Sequence, residues 1–356
     1  MAVAAAVLLA GGLARAQDES PVSPPPAAPT GETAENSPLS TEPEITPELE
    51  AAIAKGLSYL VKAQGPDGSF GEDERYGKNV GITGLCALAF MADGNLPGRG
   101  VYGENVTRAL DYVLDHCTET GLIVAGNTHG PMYGHGFATL FLGEIYGAGG
   151  DREDPRVREA LVKATQLIIK TQNPEGGWRY NPVPEDADTS VTICQVMALR
   201  SARNAGIDVP RDTIDRAVKY VRDCQNADGG FRYMTSPGNS LWPRSAASVA
   251  TMYYAGIYDD PAINKGLEYL LVEAMPGLRR TQAHYYYGQY YTAQAMYLAG
   301  GENWAKWWPA ARNELINRQA ADSGAWNDPT SGPQCATAMA LIALQVPKRY
   351  LPIFQK

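Results

Sequence analysis

The chain has 356 residues, 44% of them hydrophobic, and a formal net charge of -9. That length suits one large or two ordinary domains with a sizeable buried core. An acidic chain without a Lys/Arg run argues against nucleic acid and against an anionic membrane surface as partners.

Residues 1–16, MAVAAAVLLAGGLARA, read as an export signal. The apolar segment Ala2–Ala10 is too short to span a bilayer. Ala14-Arg15-Ala16 is a small-x-small cleavage site ahead of Gln17, although no basic residue precedes Arg15. No later stretch is long and apolar enough for a transmembrane helix, so a periplasmic or extracellular protein is expected. Residues 17–46 are rich in Pro, Ser, Thr, Ala and Glu and poor in large apolar residues. Such a segment cannot offset its ordering entropy and reads as a disordered linker. The folded part is expected to begin near Pro47, a first-turn proline.

A repeat occupies the rest of the chain, with starts about 45–55 residues apart. Lys55-Gly56-x-x-Tyr59-Leu60-x-x-x-Gln64 opens it, and Arg108-Ala109-x-x-Tyr112-Val113-x-x-x-Cys117 follows. Then come Lys163-Ala164-x-x-Leu167-Ile168-x-x-x-Gln172, Arg216-Ala217-x-x-Tyr220-Val221-x-x-x-Gln225 and Lys265-Gly266-x-x-Tyr269-Leu270-x-x-x-Ala274. Ala310-Ala311-x-x-Glu314-Leu315, ending at Gln319, is a degenerate sixth copy. The small residue and the aromatic-aliphatic pair fall four and five apart and share one helical face. A glycine turn ends each helix. An aromatic closes four of these turns, at Phe70, Trp178, Phe231 and Trp326. Copy two weakens to Gly121-Leu122-Ile123, and copy five lacks the aromatic.

Each turn leads, through a variable loop, to a second and more apolar helix. These are expected over Gly81–Met91, Gly136–Tyr146, Thr189–Asn204, Ala246–Gly256, Tyr290–Ala299 and Ala336–Gln345. Helices apolar on most sides belong inside a helical assembly, and the charged first helices outside it. An open solenoid needs polar capping repeats. The last copy is as apolar as the middle ones, which favours a closed double ring. Five cysteines without a C-x-x-C pair read as buried free thiols in a core that needs no disulfides.

The pattern [KR]-[GA]-x-x-[YFW]-[LIV]-x-x-x-Q followed by G-x-[WF] resembles the QW repeat of squalene-hopene cyclases. It is similar to the wider α-α toroid superfamily, with oxidosqualene cyclases and protein prenyltransferase β subunits, over residues 47–350. The resemblance implies an all-α (α/α)6 toroid whose inner helix N-termini open on one end of a central cavity. It also implies a D-x-D-D-T motif whose central Asp protonates the substrate. Glu185-Asp186-Ala187-Asp188-Thr189 stands at the expected place, with Ala187 in the position of that acid. Zinc-binding prenyltransferases carry Asp-x-Cys at an inner helix, whereas Asp115-His116-Cys117 ends an outer one.

Read from the residues, Asp188 is an N-cap. A helix N-terminus favours the ionised carboxylate, so Asp188 is expected to be a poor acid but a usable base or metal ligand. Asp186 reads as a solvated loop residue. Three of the four histidines, His129, His135 and His284, lie just before inner helices and are expected at the cavity mouth. Helices two and five stand opposite each other, roughly 20 Å apart for a ring with about 10 Å between neighbours. His135 and His284 are then too far apart to share a metal ion. His135 could instead pair with Asp186 or Asp188, as an acid/base couple or part of a metal site, unless backbone carbonyls satisfy it. Tyr285 and Tyr287 flank one inner helix start, and Trp242 and Arg244 another. They form a candidate lining for an apolar or ring-shaped ligand. Tyr290, Tyr291, Trp304, Trp307 and Trp308 read as packing residues.

Phosphate loops, H-E-x-x-H, G-x-S-x-G and C-G-E-Q are absent from the sequence. The expectation is an exported toroid that binds an apolar, isoprenoid-like small molecule. No cofactor is expected; the metal and the oligomeric state stay open, as does catalysis, with Asp188, Asp186, His135 and His284 the candidates. The alternatives are a carbohydrate-active (α/α)6 enzyme, which needs paired carboxylates, and a non-catalytic protein-binding scaffold.

Overall fold

The computed structural model describes residues 44–71, 76–126, 130–149, 154–277 and 284–355. The expected export signal, all but the end of the linker, and His129 lie outside the described residues. The chain runs through helices α1 (Pro47–Ala63), α2 (Val80–Met91), α3 (Gly103–Asp115), α4 (Met132–Gly147), α5 (Pro155–Lys170) and α6 (Thr189–Asn204). It continues through α7 (Arg211–Asp223), α8 (Trp242–Tyr254), α9 (Pro261–Glu273), α10 (Tyr285–Ala299), α11 (Gly301–Asn317) and α12 (Gly332–Gln345). Short 3-10 turns follow at Val346–Lys348 and Pro352–Phe354.

The six even-numbered helices form the inner ring. Each packs on the next, from α2 through α4, α6, α8 and α10 to α12, and α12 packs back on α2. The odd-numbered helices lie outside them, and α11 meets α1 to close the outer layer. Composition explains the layering. All twelve residues of α2 are buried. Helix α7 carries Arg211, Asp212, Asp215, Arg216 and Lys219 on an exposed face and buries only one stripe. The chain thus forms a closed (α/α)6 toroid.

The repeated residues hold the two rings together. Gln172 Nε2 donates to the Gly176 carbonyl of its own turn and to Thr213 O at the start of the next outer helix, at 2.8 Å each. Gln64 and Gln225 make the same pair of bonds, to Gly68 and Asn105 and to Gly229 and Ala262. Gln319 reaches Gly324 O and Ala52 O, joining the last copy to the first. Trp178 Nε1 donates to Ile168 O at 2.7 Å, and Trp326 Nε1 to Leu315 O at 2.7 Å. Gly176 has φ 101°, and a Cβ there would lie 2.2 Å from the Arg216 carbonyl of the next helix, so only glycine fits.

Four inner helices begin a full turn or more before the expected residue, and α2 begins one residue early, at Val80. Helices α4, α8, α10 and α12 start at Met132, Trp242, Tyr285 and Gly332. The first-turn N–H groups have no helical partner to lose, so polar, aromatic and proline residues enter there before the apolar run begins. Helices α8 and α12 carry proline in their first turn. All five cysteines are free, and four are buried. Trp304, Trp307 and Trp308 are buried packing residues of α11.

Candidate functional site

The inner helix N-termini share one end of the ring, and α6 supplies its central group. Asp188 caps α6 as expected, with Oδ1 accepting from Ser190 N at 2.8 Å and Val191 N at 2.9 Å. The expected low pKa is not found. Asp188 is 0% exposed, and burial raises its carboxyl to about 6 against the two backbone donors, the Tyr233 phenol and Arg179. Here the lost hydration outweighs the two N–H donors. Burial thus disfavours the anionic form of Asp188. Its Oδ2 accepts no hydrogen bond of ordinary length; Arg179 Nε stands 3.9 Å away as a long ion pair, and the Tyr233 phenol acts on the carboxyl from beyond ordinary hydrogen-bond distance.

Aromatic residues gather near Asp188, whose charge acts on the Tyr133, Tyr233 and Tyr287 phenols. The hydroxyls of Tyr180 and Tyr233 hydrogen-bond to each other. Arg179 lies 5.3 Å from the Tyr180 ring and 5.9 Å from the Tyr233 ring, and Arg244 lies 5.6 Å from the latter. Tyr287 comes across from α10, its hydroxyl 3.5 Å from Ser190 O. Burial pushes the Tyr133 and Tyr287 phenols well above their ordinary range, so both stay neutral. Below this layer the axis is filled. Tyr290 of α10 meets Phe137 of α4 edge-on at 6.4 Å, and the Tyr291 hydroxyl lies 3.6 Å from Cys194 Sγ of α6.

The other expected site residues separate into those that join this group and those that do not. Arg244 and Tyr287 belong to it. Asp186 is half-exposed and pairs with Arg179, a loop residue that orients the guanidinium. Trp242 is buried and lies flat against Gly288 of α10, where a Cβ would meet its ring at 2.0 Å. Tyr285 donates to Glu314 Oε1 at 2.9 Å and carries Arg318 4.2 Å above its ring, so it faces the outer helix α11 and not the mouth. His284 is exposed at the α10 N-cap with φ 64°.

His135 corrects the sequence reading most. It sits inside α4, 0% exposed, and its Nδ1 accepts from Ile123 N at 3.1 Å. Burial lowers its pKa to about 4 against the Ala164 backbone on α5. It is thus turned toward the outer layer, away from Asp186 and Asp188, and neither an acid/base couple nor a shared metal site forms. The same clasp recurs in other copies with a hydroxyl. Phe70 N, Trp178 N, Phe231 N and Trp326 N donate to Thr83, Thr192, Ser245 and Thr337. His135 replaces that hydroxyl in the copy whose turn has Ile123 for the aromatic. Among the described residues no three His, Cys, Asp or Glu side chains gather in a metal-binding group.

Arg179, Tyr180, Tyr233 and Tyr133 were missed in the sequence reading. A signal was present for three of them. Trp178-Arg179-Tyr180 and Phe231-Arg232-Tyr233 repeat the same wording after the turn in copies three and four. That places two tyrosines over the α6 N-terminus, and Thr189 N donates to Tyr233 O at 2.9 Å.

Two closed rings of paired helices define an α-α toroid, the fold expected from the repeats. No protein-family model matches the chain. It is 30% identical over 182 residues to drimenyl diphosphate synthase from Streptomyces showdoensis, a match covering 51% of this chain and 32% of that protein. The type II terpene cyclase MstE from Scytonema, solved in complex with geranylgeranyl dihydroxybenzoate, superposes with a TM-score of 0.60 at 16% identity, over 84% of this chain and 97% of that one. An α-1,6-mannanase from Salegentibacter has the same fold, with a TM-score of 0.59 at 9% identity over 83% and 98% of the two chains. At these identities the solved structures establish the fold, which hosts both chemistries.

Proposed function

We propose that this terpenoid cyclase-like toroid binds an apolar, isoprenoid-like molecule at the N-terminal mouth of its ring, and that Asp188 moves a proton there. The observation that carries the reading is the free Oδ2 of buried Asp188 among Tyr133, Tyr180, Tyr233 and Tyr287. Neutral phenol faces, those of Tyr133 and Tyr287 above all, suit a chain of alkenes. Ala187 occupies the position of the family's acid and is buried, so the proton-bearing carboxyl is one residue further on, at the helix cap. The proposal includes export, with cleavage near Ala16.

A carbohydrate-active role fits the mouth less well. Glu185 is exposed and Asp186 is engaged by Arg179, which leaves Asp188 without a second carboxyl partner. A binding scaffold is favoured by one observation, the filled axis at Phe137 and Tyr290. Native mass spectrometry and a fluorescence titration with geranylgeraniol separate these readings. Saturable binding that Tyr287→Ala and Arg244→Ala weaken, with conversion lost in Asp188→Asn, is expected. No co-purified or added isoprenoid on the protein would sink the proposal and leave the scaffold.

A further inference from the structure

The opposite end of the ring holds a second concavity. A cavity of about 660 Å³ opens between the C-terminal ends of α2, α4 and α6 and the segment after α12. Met91, Leu96, Tyr350 and Pro352 give it an apolar wall, and Arg99 and Arg200 a charged one. Tyr350 is 58% exposed and its ring lies over Gly94, where a Cβ would be 3.4 Å away. An exposed aromatic edge beside a concavity suits contact with a ligand's apolar part.

The two arginines are the unexplained feature. Arg200 is half-buried. Among the described residues neither it nor Arg99 has a carboxylate within ion-pair distance, and no Asp or Glu lines the cavity. Among the described residues Arg158, Arg203 and Arg244 also meet none, but Arg99 and Arg200 are the two that line one cavity. Glu144, the buried carboxyl near this end, is already used: Ser201 Oγ donates to Oε1 at 2.6 Å and Ile353 N to Oε2 at 2.9 Å. The C-terminal dipole of α6 favours a cation at Arg200, and its donors, like those of exposed Arg99, have no protein acceptor among the described residues and stay open to solvent and to a ligand. In a chain of net charge -9, two unpaired guanidinium groups at one apolar concavity call for an anion.

We propose that this cavity binds an oxyanion on a short apolar stem, a phosphate monoester in chemical type, with Arg99 and Arg200 holding the head and Met91, Leu96, Tyr350 and Pro352 the stem. Guanidinium forks match phosphate oxygens in pairs. The same chemistry is presented by a soluble ester and by a phosphatidic acid headgroup.

Isothermal titration of the full chain with hexyl phosphate, inorganic phosphate and hexanol tests the site. Hexyl phosphate is expected to bind saturably, about tenfold tighter than inorganic phosphate, because two or more methylenes leave water. Hexanol should not bind. Arg200→Gln and Arg99→Gln should each weaken hexyl phosphate about tenfold, and Arg200→Lys less, with unchanged melting temperatures. Co-sedimentation with phosphatidic acid vesicles names the source: pelleting that Arg200→Gln abolishes assigns a lipid headgroup, and binding without pelleting a soluble ester. No saturable binding of hexyl phosphate overturns the proposal. So does wild-type affinity in the folded Arg99→Gln/Arg200→Gln double variant.

Discussion

Two buried carboxyls mark the two ends of the inner ring, and they differ in what their oxygens do. Glu144, near the C-terminus of α4, has both oxygens hydrogen-bonded, to Ser201 and to the backbone of Ile353. Asp188, at the N-terminus of α6, spends one oxygen on the helix cap and keeps the other free. Burial raises both, Glu144 to about 7 and Asp188 to about 6. A raised pKa therefore does not by itself distinguish the two acids. Hydrogen bonding does separate them: both Glu144 oxygens accept a hydrogen bond, and Asp188 Oδ2 accepts none. Glu144 is a latch that ties the segment after α12 to the ring, whereas Asp188 Oδ2 is engaged by no such hydrogen bond.

The mouth depends on the turn that places Asp188. Trp178 O accepts from Asp188 N at 3.0 Å, and the Trp178 side chain is 1% exposed. Trp178→Ala is expected to cost about 3–5 kcal/mol, read by urea unfolding, and to loosen the mouth more than the opposite end in hydrogen exchange. At the latch, Glu144→Ala strands the Ser201 and Ile353 donors and is expected to cost about 2–4 kcal/mol. A smaller loss than in Asp188→Asn would reverse the contrast between the two acids.

The two acids also set a common pH dependence. Each binds its proton more tightly folded than unfolded, so the stability each contributes is fully present below its ordinary value. For Glu144 that value is 4.5, and the contribution is lost as pH rises through about 7. For Asp188 the loss runs from 3.8 through about 6. Each is worth roughly 3 kcal/mol. Melting curves from pH 4 to 8 should show Glu144→Gln removing the upper part of this slope and Asp188→Asn the lower part. The smallest expected effect concerns the clasp in α4. His135→Thr keeps an acceptor for Ile123 N and His135→Val does not, so Thr should be the more stable by about 1–2 kcal/mol. Equal melting temperatures would make the clasp irrelevant.

The architecture was legible because it is written locally and repeatedly. Helix period, the terminal glutamine, the glycine turn and the aromatic recur within each copy, and closure followed from the apolar last copy. Individual site residues were less so. Asp188 was recognised as a cap from its neighbours, but its burial depends on Tyr233 and Arg244 from the next copy and Tyr287 from α10. His135 and Tyr285 have the composition of mouth residues, and their direction is decided by partners on other turns and helices, Ile123 and Glu314. Trp178-Arg179-Tyr180 and Phe231-Arg232-Tyr233 show that a second, smaller repeat was readable.

The sequence by itself determined the closed all-α double ring and its clasps, because helix faces and turn chemistry are set by residues three to five apart. Only the tertiary structure decided which polar groups face the axis, which oxygen of Asp188 stays free, and where Arg99 and Arg200 find no counter-charge. Those outcomes depend on burial and on contacts between distant copies, which no local pattern encodes.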